Sequence, residues 1–207
     1  MLTISNENIR SDFIEVGKII KHLRVSKKLK SSNVYTGILS RPAVSRFEKG
    51  LSDTTSEKFF KILDNLNVSL DEFYFIYNDY VQEDTLFFLR RYSNFFNKND
   101  LEGLHNLQIS ALQKYNLSGK IKYLHYSTLC SLTISSVSNS PTNTEDLNIL
   151  KNYLLECEEW TYYEVVLFTN SLDFFSEDLI LLLYKRTKDK LKYFSELKKY
   201  MTTATYL

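Results

Sequence analysis

Ser40-Arg41-Pro42-Ala43-Val44-Ser45-Arg46-Phe47-Glu48-Lys49-Gly50 reads as a short basic helix, opened by a serine cap and ended by a glycine. Arg41, Ser45, Arg46 and Lys49 fall on one side at helical spacing. Val44 and Phe47, three residues apart, point to the other and can pack on neighbouring helices. A helix so divided has one face for a core and one left for a partner. Pro42 fits the first turn, where its missing N–H is not needed.

The flanking sequence supplies the neighbours. Upstream, Asp12 to about Lys28 carries Phe13, Val16, Ile20 and Leu23 on one face, leaving Lys18, Lys21, Arg24, Lys27 and Lys28 to the other. A short helix over Ser31–Tyr35 follows, then Gly37 as a turn. Downstream, Thr54-Thr55-Ser56-Glu57 reads as a capping box opening a helix that buries Phe59, Phe60, Ile62, Leu63 and Leu66. Ser69-Leu70-Asp71-Glu72 is a second box opening the next. Five short helices make a compact bundle, and residues 1–78 are read as one domain. In a helix-turn-helix the second helix of the pair lies in the major groove and its N-terminal residues reach base edges. The expected contacts to double-stranded DNA are Ser40, Arg41, Ser45, Arg46 and Lys49, with Lys28 as a further one.

Net charge over the 207 residues is only +1, which taken whole argues against a general nucleic-acid binder. The charge is uneven, however. Arg10 to Gly50 holds ten basic and three acidic residues, a balance of +7 that places the positive field on the bundle. Cys130 and Cys157 have no second Cys or His at metal-ligand spacing and are expected to be reduced core residues. No metal or other cofactor is expected. His22, His105 and His125 are scattered and no glycine-rich phosphate loop follows a strand, so an enzyme is not expected. Nothing reads as a signal peptide or as a membrane span, and a cytoplasmic location is expected.

Two prolines and five glycines leave few helix breakers, and the all-α pattern continues to the end. Helices are readable at about Glu83–Asn97, Asp100–Tyr115, Lys120–Ser136, Glu145–Cys157, Thr161–Phe175 and Glu177–Tyr200. Thr142-Asn143-Thr144-Glu145 reads as another capping box, and Ser176 as the cap of the last helix. Residues 79–207 are read as a second domain of stacked helix pairs, an α-solenoid. Its aromatic residues, Phe87, Phe88, Phe96, Tyr126 and Trp160 among them, are expected mostly in the layers between pairs.

Three segments together carry a family resemblance. Gly17-Lys18-Ile19-Ile20-Lys21-His22-Leu23-Arg24, Val44 to Gly50 and Phe60 to Phe73 resemble the phage-repressor-type helix-turn-helix of the Rgg/GadR/MutR regulators. Trp160-Thr161-Tyr162-Tyr163-Glu164 resembles the Trp-x-x-Tyr-Glu segment of the same family. The resemblance implies a transcription factor of Gram-positive bacteria, with a tetratricopeptide-like domain that binds a short apolar signalling peptide in quorum sensing. It implies that Arg24 pairs with Glu48 in a structural role, and a peptide would want Asn170, Arg90 or Arg91 as polar anchors. Two departures stand out. Pro42-Ala43 replaces a usual Ser-Gln pair, thinning base readout, and Tyr35 stands where a small Ala is usual, which calls for widened packing or a shifted helix. The family's members also continue beyond the equivalent of Leu207, so a homodimer is expected but weakened. The alternative reading is a shortened module that no longer binds DNA and modulates a full-length relative.

Overall fold

The computed structural model describes residues 16–80 and 84–193. Every regular element among them is helical: α1 Val16–Ser26, α2 Ser31–Tyr35, α3 Arg41–Glu48, α4 Ser56–Asn65, α5 Leu70–Tyr77, α6 Asp84–Asn97, α7 Leu101–Ser118, α8 Ile121–Val137, α9 Thr144–Glu156, α10 Tyr162–Thr169 and α11 Glu177–Tyr193. The expected start of the first helix at Asp12, with Phe13, and the end of the last at Tyr200 lie outside the described residues. Contacts divide the chain into two compact units, Met1–Asp84 and Thr85–Leu207, where the sequence reading drew its boundary after residue 78. No helix among the described residues is long and apolar enough to cross a membrane.

The first unit closes α1–α5 around Ile19, Ile20, Val34, Tyr35, Val44, Phe47, Ile62, Leu63, Leu66, Val68 and Phe73. α1 packs on α3 and α2 on α4. The α1–α3 crossing needs a glycine, because a Cβ built on Gly17 would stand 2.6 Å from the Phe47 carbonyl carbon. The box expected at Thr54 is displaced by one residue. Thr55 is the cap, its Oγ1 accepting from Lys58 N at 3.4 Å. Glu57 is then one position too early to reach back, and instead accepts from Lys61 Nζ at 2.6 Å. Phe60, expected inside, is 53% exposed, because Phe59, Ile62, Leu63 and Leu66 already complete the inward stripe. The box at Ser69 is present, with Ser69 N donating to Glu72 Oε2 at 2.8 Å.

In the second unit α7 lies along α8, α8 packs on α9 and α9 on α10. Asn143, not Thr142, caps α9, its Oδ1 accepting from Glu145 N at 2.9 Å. Phe88 stacks on Tyr126 with ring centres 4.0 Å apart, and Trp160 is fully buried edge-on to Phe168. Phe87 and Phe96 are exposed instead of lying between layers. Cys130 is buried, which pushes its thiol up to about 12, whereas Cys157 is only half-buried at the end of α9. The helix expected over Thr161–Phe175 stops at Thr169 and gives way to a short 3₁₀ turn at Leu172–Phe174. Thr169 Oγ1 and Asn170 Nδ2 both donate to Val166 O, and Ser171 Oγ donates to Leu167 O, so polar side chains cluster on the last turn's carbonyls.

One polar knot crosses this apolar core. Tyr153 Oη donates to Glu164 Oε1 at 2.6 Å, while Thr161 N and Oγ1 both donate to Glu164 Oε2 at 2.8 Å. Alongside, buried His125 hydrogen-bonds through Nδ1 to Tyr163 Oη at 2.7 Å. Burial drives the imidazole down to about 4 against the opposing pull of the Glu164 carboxylate.

Candidate nucleic-acid interface

α2, the turn Thr36–Ser40 and α3 form the helix-turn-helix. Gly37 takes φ +76°, a value natural to glycine, in the middle of the turn. Ser40 opens α3 with extended backbone angles, its Oγ accepting from Ala43 N at 3.4 Å. Pro42 lies in the first turn, where a helix has no use for its N–H. At the other end Gly50 takes φ +72° and lets Leu51 N donate to Arg46 O at 2.8 Å, closing the helix sharply. α3 is thus a rigid peg of eight residues with both ends fixed.

Its sides are unequal. Val44, Phe47 and Glu48 are buried, while Arg41, Pro42, Ser45, Arg46 and Lys49 are exposed and Ala43 is half-buried. Arg46 Nη2 leans back to Leu51 O at 3.4 Å, which leaves most of its guanidinium donors facing outward. Lys28 is exposed just beyond α1 in the left-handed region, at φ +56°. Lys27 Nζ donates to Asn67 O at 3.1 Å, tying the end of α1 to the end of α4, so the cations of this edge do not all point to a partner.

The buried acid is what holds the peg at its angle. Arg24 Nε and Nη2 donate to Glu48 Oε1 and Oε2 at 2.6 and 2.8 Å, a two-pronged pair from α1 to α3. Arg24 Nη1 also donates to Leu29 O at 3.1 Å. Tyr35 completes the arrangement: its Oη donates to Glu48 Oε1 at 2.8 Å from the end of α2. Burial works to raise the Glu48 carboxyl, but the hydrogen bonds from Arg24 and Tyr35 outweigh it and hold the group below its ordinary value. The same bond to Glu48 raises the Arg24 guanidinium, and burial, then Glu48, raises the Tyr35 phenol. Tyr35 is accommodated inside the bundle and given a polar partner there. Its ring fills the core at 2% exposure, and its hydroxyl takes a place on the buried carboxylate that a small alanine would leave vacant.

Comparison with known proteins follows the same division. Residues 20–73 match the helix-turn-helix family, and residues 104–207, half of the chain, match the family described as HTH-type transcriptional regulator Rgg, C-terminal domain. The chain belongs to the Rgg family. A Listeria monocytogenes EGD-e protein assigned as a transcriptional regulator is 28% identical, with a TM-score of 0.76 over 93% of this chain and 66% of that one. The SHP pheromone receptor Rgg2 of Streptococcus dysgalactiae is 27% identical, with a TM-score of 0.62 over 83% of this chain and 59% of the receptor. Its C45S variant is similar at a TM-score of 0.64, again at 27% identity, over 83% and 60%. The chain therefore spans less than two thirds of the length of these proteins.

The three residues expected to anchor a peptide lie on α6 and at the end of α10, two elements whose side chains line one small cavity. Arg90 and Arg91 are exposed on α6, where the Arg91 guanidinium lies over Phe87 and Phe95 at 5.6 and 5.5 Å. Asn170 is half-buried at the end of α10, where its Nδ2 donates to Val166 O at 2.8 Å. Gly17 and Tyr35 are the positions of the first unit whose roles sequence reasoning missed. Gly17 had a signal, a residue without side chain on the inward face three before Ile20. Tyr35 had none, because its partner lies thirteen residues away in a different helix.

Proposed function

We propose that this chain is a DNA-binding transcriptional regulator that inserts α3 into the major groove. The observation that carries the reading is the division of α3: Arg41, Ser45, Arg46 and Lys49 face solvent, and the opposite side is locked by Val44, Phe47 and the Arg24–Glu48 pair. Ser40 and Arg41 meet phosphate at the helix start, Ser45 and Arg46 face base edges, and Lys49 with Lys28 grips the backbone on either side. A homodimer would present two such helices to half-sites about one helical turn apart. In this reading the second unit binds a short apolar peptide, with Asn170, Arg90 and Arg91 as its polar contacts. The likeness to a pheromone receptor supports that step.

The test is a gel-shift titration on duplexes the chain enriches from a random pool. Replacing Arg46 and Lys49 together with Ala abolishes the shift at physiological salt, since the first change removes a base-edge contact and the second a phosphate contact with its share of counterion release. Equal affinity for parent and double variant, with both folded, would remove α3 from the interface.

A further inference from the structure

The first turn of α3 carries two apolar side chains, Pro42 and Ala43, between the cations Arg41 and Arg46. Pro42 is exposed and Ala43 half-buried, directly after Arg41, the exposed first residue of the helix. Pro42 stands three, four and seven residues before Ser45, Arg46 and Lys49, so these four share one face of the helix. Read from its N-terminus, that face is apolar, then hydroxyl and guanidinium, then ammonium. At these two residues the backbone adds no hydrogen bond to a base: Pro42 has no N–H, and Ala43 N donates to the Ser40 Oγ at 3.4 Å.

The major-groove edge of DNA offers donors and acceptors at every base pair, but its distinctive apolar group is the 5-methyl of thymine. An exposed carbon surface at the end of the helix that reaches base edges has that group as its complement. We propose that α3 reads thymine through Pro42, with Ala43 beside it, by apolar contact with the 5-methyl group. Base discrimination at this end of α3 therefore comes from shape and burial of a methyl group in place of hydrogen bonds to adenine. The proposal rests on α3 being the groove helix.

A uracil scan tests it. The chain selects duplexes from a random pool, and each thymine of an enriched duplex is then replaced singly by deoxyuridine, which keeps pairing and the O4 acceptor and deletes only the methyl. Burial of one carbon group predicts that affinity falls about fourfold at one thymine or more. In Pro42→Ser, which leaves the buried side of α3 untouched, the uracil and thymine duplexes bind alike. Uracil tolerated at every position overturns the proposal, as does a penalty that persists unchanged in Pro42→Ser. The parent-protein scan gives its answer whether or not the variant folds. Enrichment of no duplex at all overturns the groove reading itself, and the proposal with it.

Discussion

Tyr35 offers the sharpest test of how the first unit is held together. Its ring is 2% exposed and its hydroxyl is one of three donors on the Glu48 carboxylate, the others being the two Arg24 nitrogens. Tyr35→Phe keeps the ring and deletes one hydrogen bond to a buried anion, a change worth about 1.5–3 kcal/mol. Tyr35→Ala installs the small residue usual at this place, but here it empties an aromatic site, which costs about 3–5 kcal/mol for the ring alone. Against the roughly 5–15 kcal/mol that holds a domain folded, the alanine variant leaves α2 and α3 close to opening. Urea unfolding followed by amide hydrogen exchange in α2 and α3 measures both. Glu48→Gln in the parent and in Tyr35→Phe completes a double-mutant cycle, with a coupling of about 0.5–3 kcal/mol expected. A phenylalanine variant within about 0.5 kcal/mol of the parent, the scatter of an ordinary surface change, would refute the anchoring role of the hydroxyl. So would a coupling of zero.

Gly17→Ala drives a methyl group into the Phe47 carbonyl, and since backbone cannot swing away as a side chain can, a loss of about 1–3 kcal/mol or more follows, read by thermal unfolding. A silent substitution would mean that α1 and α3 are further apart than they are here. His125 gives the second unit a pH dependence with a definite sign. Its folded value lies near 4, below the ordinary 6.5, so the unfolded chain takes up the proton first and stability declines as pH falls between those two values. Urea unfolding at pH 7 and pH 5 should differ by about 2 kcal/mol on this account, and His125→Phe should flatten the difference. Glu48 acts in a lower window: its depressed carboxyl contributes fully above the ordinary carboxylate value, and the contribution fades as pH falls through the folded one.

The sequence shows helices well because helix signals are local. Caps at Ser40 and Ser69, the glycine at 50 and the apolar stripes of α1 and α4 each lie within a few residues of what they control. Errors arise where two local signals compete. Thr54 and Thr55 could each cap α4, and only the resulting register decides whether Glu57 reaches back to the cap or forward to Lys61. The α10 break is of the same kind, since Thr169, Asn170 and Ser171 read as ordinary helix polar residues until all three take carbonyls of one turn. The site is less legible than the fold. Exposure of Arg41, Ser45, Arg46 and Lys49 follows from periodicity; the Arg24–Glu48 pair comes only with the family resemblance, and the place of Tyr35 on it depends on a third helix from a separate stretch of chain.

That meeting also explains why a helix of eight residues can present side chains reproducibly. An isolated helix of this length is unstable in water, so α3 owes its form to what it is packed against. Val44 and Phe47 supply burial, but burial alone allows a helix to roll about its axis by a fraction of a turn, which would move Arg46 and Lys49 off a groove. A carboxylate bound by a two-pronged guanidinium from α1 and a phenol from α2 resists that roll, because any rotation of Glu48 lengthens at least one of three short bonds. On the proposed groove docking, Arg24, Tyr35 and Glu48 would therefore set the aim of α3 without touching DNA themselves. If so, Tyr35→Phe should weaken selected duplexes more than random ones even where the fold survives, since phosphate contact tolerates a small roll and base-edge contact does not. Equal loss on both duplexes would instead assign the three residues to stability alone.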